Sequence, residues 1–226
     1  MSIFRQFMNG MSISSNGDQV IQVNGSGVQV NGSAPGPAGK VVTKDFDISQ
    51  FSKLEAGAVF KIRVTTGSKP SVTVTAEEHV MPHVEVAQHG DTLVLELNGA
   101  VSFSGPLSVD LVTNTLTDID LSGSAKLAYE SVAGGQLAVD VSGAAVVELA
   151  GIVGTFDVDA SGASKVRADN LRAASVKVDA SGAAKVQAHA ASSATGKASG
   201  AAKVEINGQA VTRSIRTSGA ASVSFV

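Results

Sequence analysis

Four aspartates, Asp120, Asp140, Asp159 and Asp179, recur at intervals of 20, 19 and 20 residues. If the fold superposes them, they form a column of carboxylates. Such a column could offer hard oxygen ligands to Ca²⁺. It could also supply the acid and base of a polysaccharide-active β-helical enzyme, with like-charge spacing perturbing the acidity. The same position then holds Lys197 and Arg216, which gives one opposite-charge pair where the sign changes. The plainer role is a solvated ladder that keeps neighbouring coils soluble and sets their register, its repulsion screened by water and salt. That role is preferred to cation binding, and cation binding to catalysis.

A second column, Lys126, Lys165, Lys185 and Lys203, is interrupted by Val146 and ends at Ser222. It could touch an anionic polymer, although exposed lysines more often discourage edge pairing between strands. His79 and His83 stand four apart beside Glu77 and Glu78, a spacing that would hold a metal on a helix. Pro82 lies between them and no third ligand is local, so a surface loop is expected. His89 and His189 stand alone. No Gly-x-Ser-x-Gly, phosphate loop or dinucleotide fingerprint is present. The sequence therefore nominates no catalytic, cofactor-binding or metal residue. With no Trp and one Tyr, aromatic stacking on sugars has little to work with.

What positions these columns is a repeat. Ser-Gly recurs at Ser122-Gly123, Ser142-Gly143, Ser161-Gly162, Ser181-Gly182, Ser199-Gly200 and Ser218-Gly219, the glycines 20, 19, 20, 18 and 19 residues apart. A fixed period of this length marks a solenoid, in which no repeat buries its apolar face alone. Four residues after each glycine stand Leu127, Val147, Val166, Val186, Val204 and Val223; four before stand Ile119, Val139, Val158, Val178, Gly196 and Ile215. Even offsets thus point inward and odd offsets, which carry the charges, outward, as the two-residue pleat demands. Small residues around Ser-Gly predict a bend in the coil wall. The expected fold is all-β, a right-handed parallel β-solenoid with coils of about 19–20 residues. An antiparallel sandwich would explain the alternation but not the period.

Residues 1–39 form a polar Gly/Asn-rich lead and linker. In it Gln22-Val23-Asn24-Gly25-Ser26 returns as Gln29-Val30-Asn31-Gly32-Ser33, and the alternation from Val20 to Val30 predicts short strands or a hairpin. Ala34 to Gly39 reads as linker. Residues 40–226 form the solenoid domain: longer-stranded first coils over 40–113, then regular Ser-Gly coils over 114–226. The apolar share of 43% permits a real core, built mostly of Ala and Val around eight Phe. A net charge of −3 leaves no basic field for nucleic acid, and no apolar run of membrane-spanning length occurs. Cysteine is absent, so disulfides are excluded. Met1 to Gly10 lacks the basic-then-apolar pattern of a secretory signal. The chain is then cytoplasmic, was separated from its signal, or leaves the cell by another route.

The run Phe46-Asp47-Ile48-Ser49-Gln50-Phe51 leads into Leu54-Glu55 and then Val59-Phe60-Lys61-Ile62-Arg63-Val64-Thr65-Thr66-Gly67. Val72-Thr73-Val74 with Ala76-Glu77-Glu78 follows, and then Gly90-Asp91-Thr92-Leu93-Val94-Leu95. Together with the Asp-x-Ser-Gly repeats, these features resemble the putative auto-transporter adhesin, head GIN domain family of bacterial proteins, over roughly residues 41–226. The resemblance implies a β-helical fold, a tendency to oligomerise and an envelope or surface setting. It brings no catalytic residue with it.

Ala221 to Val226 reads as a strand in register with earlier coils. A solenoid end without a polar cap exposes apolar surface and unpaired backbone groups. Either residues 1–33 fold over an end or another subunit covers it; self-association is expected, by lateral packing into a small closed homo-oligomer or by head-to-tail stacking of the uncapped ends into a filament. Function is expected to be structural or adhesin-like and non-enzymatic. A filament-forming scaffold is the alternative, and an enzyme using the aspartate column a more distant one. No cofactor, nucleic acid or membrane insertion is expected.

Overall fold

The computed structural model describes residues 39–226, together with two two-residue strands, β1 (Val20–Ile21) and β2 (Val30–Asn31), which pair antiparallel. That pair coincides with the alternation read as a hairpin. The rest of the lead lies outside the described residues.

The other fifteen strands form one continuous sheet wound into a β-solenoid of about five turns. In chain order they begin with β3 (Val41–Phe46), β4 (Lys53–Ala56), β5 (Lys61–Thr66) and β6 (Ser71–Glu77). Then come β7 (Val84–His89), β8 (Thr92–Leu97), β9 (Leu107–Thr113) and β10 (Asp118–Leu121). The regular coils are β11 (Lys126–Val141), β12 (Val146–Ala160), β13 (Lys165–Ala180) and β14 (Lys185–Ala198), followed by β15 (Lys203–Asn207), β16 (Thr212–Thr217) and β17 (Ser222–Phe225).

From β10 onward every pairing is parallel and the predicted columns superpose. Leu127 pairs with Val147, Val147 with Val166, Val166 with Val186, Val186 with Val204 and Val204 with Val223. Ile119 pairs with Val139, and the column continues through Val158, Val178, Gly196 and Ile215. Through Ala198 and Val204 the inward members of these columns other than Gly196 are buried, so each coil covers the apolar face of the next. Phe51, Phe60, Tyr129 and Phe156 fill the wider parts of the interior.

The Ser-Gly bend holds the register. Gly162 has φ +70, and a Cβ there would stand 2.7 Å from the carbonyl oxygen of Gly143 in the coil below. The left-handed backbone and the close approach both require glycine. The variable period is absorbed elsewhere. Between β11 and β12 the offset is 20 at Tyr129–Leu149 but 19 at Val132–Gly151, across a bulge. β13 and β14 shift similarly between Ala168 and Ser175.

Residues 40–113 differ from expectation in two ways. Their strands run four to seven residues, whereas β11 to β14 run 14–16. Pro70, Pro82 and Pro106 punctuate the first part, and no proline follows to break the regular coils. The stack also departs from chain order. The coil of β4 and β5 lies between that of β8 and β9 and that of β10 and β11. Beyond β8 and β9 the strands turn antiparallel: β7 pairs with β8 around the bend at Gly90, and β6 pairs with β9 and with β3.

Candidate functional site

The outward positions on either side of the Ser-Gly edge form two charged ladders. On one side Asp120 pairs with Asp140, Asp140 with Asp159 and Asp159 with Asp179. Asp179 then pairs with Lys197, and Lys197 with Arg216. The ion pair expected at the sign change is present, with Lys197 Nζ 3.2 Å from Asp179 Oδ2. One member was missed: Glu55 pairs with Asp120 and extends the carboxylate run to five. No Ser-Gly marks it. The signal was Leu54-Glu55-Ala56 in the place of Ile119-Asp120-Leu121, with Ala58 taking the turn in the left-handed region at φ +58.

Asp120, Asp140 and Asp159 are exposed at their tips, yet all three pKa values are raised. Partial desolvation against the wall is the larger cause and a neighbouring carboxylate the second: Glu55 for Asp120, Asp120 for Asp140, Asp140 for Asp159. Asp179 and Asp157 also push Asp159 up, and Lys197 opposes them. The carboxylates sit one strand spacing apart, about 4.8 Å, along a wall. Among the described residues no group of three or more His, Asp or Glu side chains is placed to hold a metal ion.

On the other side of the edge Lys61 pairs with Lys126, Lys126 with Val146, Val146 with Lys165, Lys165 with Lys185 and Lys185 with Lys203. Lys61 is again a member that sequence reasoning did not place. All five lysines are exposed, and among the described residues none lies within 4.0 Å of a carboxylate. Arg167, on the flanking column, pairs with Glu148.

The histidine pair does not converge. His79 Nε2 meets the carbonyl of Ser102 at 3.0 Å, and His83 Nδ1 meets that of Asn98 at 2.9 Å. Glu77, read as part of a surface loop, is buried at 2% exposure. It accepts hydrogen bonds from the backbone N–H groups of Ser104 and Gly105 and so fastens the loop before β9. No local pattern announces this role, because the donors come from 27 and 28 residues away.

Fold and ladders together define a repeat-built, charge-segregated β-solenoid. Residues 50–210 match the family model described as putative auto-transporter adhesin, head GIN domain, and the chain belongs to that family. Among solved structures, a putative adhesin from Bacteroides fragilis NCTC 9343 is similar with TM-score 0.71 at 20% identity, over 84% of this chain and 99% of that one. A putative adhesin from Parabacteroides merdae ATCC 43184 has TM-score 0.53 at 18% identity, over 83% and 97%. A putative lipid binding protein from Parabacteroides distasonis ATCC 8503 has TM-score 0.54 at 14% identity, also over 83% and 97%. At these identities the likeness is one of fold. No curated protein matches.

Proposed function

We propose that this chain is a non-enzymatic, adhesin-like structural module of the bacterial cell envelope or surface, and that it acts as a self-associating rod. The observation that carries the reading is the in-register stacking. It lines the solenoid with one run of five carboxylates at the coil spacing and one ladder of five lysines, interrupted once by Val146. A surface that repeats one charge at a fixed interval suits extended, multivalent contact. Catalysis on a small molecule instead requires polar groups converging in an enclosed pocket. Membership of an adhesin-head family supports the surface setting.

The test has two arms. Sedimentation velocity of the purified chain at micromolar concentration is expected to show a species larger than the monomer, and a monomer throughout would overturn self-association. Protease treatment of intact cells producing the native protein is expected to degrade it. Full protection until lysis would overturn the surface setting.

A further inference from the structure

We propose that the two ladders are complementary halves of one contact, by which the carboxylate face of one molecule packs side by side on the lysine face of a second copy. This rests on the self-association reading above and names its surface.

Three features of the molecule carry it. The first is spacing. Both ladders ride on the same coils, so both repeat at the strand separation of about 4.8 Å, and two parallel rods match rung for rung without adjustment. The second is level. Glu55 and Lys61 belong to one coil, Asp120 and Lys126 to the next, Asp159 and Lys165, and Asp179 and Lys185, to later ones. An unshifted parallel contact therefore sets four carboxylates against four lysines, leaving Asp140 opposite Val146. A slip of one coil again makes four pairs, Glu55 with Lys126, Asp140 with Lys165, Asp159 with Lys185 and Asp179 with Lys203. It also moves Lys197 away from Lys203 and opposite Ser222.

The third feature is need. Within one molecule the ladders stand on either side of the Ser-Gly edge, and among the described residues no carboxylate of one pairs with a lysine of the other. Each ladder crowds like charges at close range. The pKa values of Asp120, Asp140 and Asp159 are raised first by partial desolvation, and the neighbouring carboxylates add to the rise. A facing lysine ladder relieves both at once. Because the faces differ, the contact is heterologous, and every copy keeps one face of each kind open until the assembly closes.

The experiment uses two charge-reversed full-length variants. One carries Lys126→Glu, Lys165→Glu, Lys185→Glu and Lys203→Glu; the other carries Asp120→Lys, Asp140→Lys, Asp159→Lys and Asp179→Lys. Milder versions with Gln and Asn at the same positions guard against misfolding, and circular dichroism confirms the β fold in each. Wild type is expected to associate, at least about tenfold less tightly when NaCl rises from ~0.1 to ~1 M and the Debye length falls from about 10 to about 3 Å. Each variant alone is expected to sediment as a monomer, and an equimolar mixture of the two reversed variants to recover a complex.

Variants that associate as wild type does, or a mixture that stays monomeric while wild type associates, would overturn the ladder contact and leave self-association standing. A monomeric wild type would overturn both. A wild-type assembly indifferent to the lysine variant, combined with loss of that variant's retention on heparin, would assign the lysine ladder to an anionic polymer instead.

Discussion

Replacing Gly162 with alanine tests the bend that keeps every column in register. Gly162 lies in the middle of the stack at φ +70, with the Gly143 oxygen 2.7 Å and nitrogen 3.1 Å from the position a Cβ would take. The left-handed conformation costs a non-glycine residue about 1–2 kcal/mol. Both crowded atoms are backbone, so the coils must part, which overpacking data put at about 1–3 kcal/mol. Reduced freedom of the unfolded chain offsets about 0.4–1 kcal/mol. The net expectation is a loss of about 1–5 kcal/mol. Gly135→Ala is the control, because nothing lies within 4 Å of its Cβ position and its φ is not in the left-handed region. It should shift stability by no more than about 0.5 kcal/mol. Urea unfolding followed by far-UV circular dichroism reads both, midpoint and slope together. Equal stability of Gly162→Ala and wild type, or equal losses in the two variants, would refute the close-approach reasoning.

Three further outcomes follow from the same geometry. Ala58 occupies the glycine position of the bend at φ +58, so Ala58→Gly should raise stability by about 0.5–1 kcal/mol in the same urea assay. Ser164 is fully buried in a column otherwise held by Ala125, Ala145, Ala184 and Ala202, and its hydroxyl has no hydrogen-bond partner; Ser164→Ala should stabilise by about 1 kcal/mol in thermal melts. The raised pKa values of Asp120, Asp140 and Asp159 mean that the folded state binds protons more tightly than the unfolded state. Relative to the triple Asp→Asn variant, wild type should therefore gain stability as pH falls through these raised values. The gain should be complete below the ordinary value of 3.8, and smaller in high salt.

The regular coils were legible because their rule is local and repeated. A glycine that tolerates positive φ, an apolar residue four positions to either side, and a charge at the third position specify bend, wall and face together. The ladders followed from that rule, as did the Asp179–Lys197 pair. The first part of the solenoid was not legible to the same depth, since its stacking order is not its chain order. The alternation of Leu54-Glu55-Ala56 announces a strand but not that Asp120 lies over Glu55 and Leu93 beneath Leu54. Nor does alternation distinguish the antiparallel strands β6 and β7 from the parallel ones they border. Glu77 was hidden for the same reason, because a buried carboxylate is recognised by its donors, and those are remote in sequence.

Superposition of positions one coil apart is the claim on which the ladders, the bend and the proposed contact all depend. It is tested most directly by cysteine pairs in a chain that has no cysteine of its own. Asp140→Cys with Asp159→Cys places two thiols on adjacent rungs, about 4.8 Å apart along the wall and within disulfide reach. Asp120→Cys with Asp159→Cys places them two rungs apart, about 9.6 Å, which is beyond it. Under mild oxidation at high dilution and high salt, the first pair should close an intramolecular disulfide in high yield and the second should not. Closure of the second pair without the first would contradict the stacked solenoid.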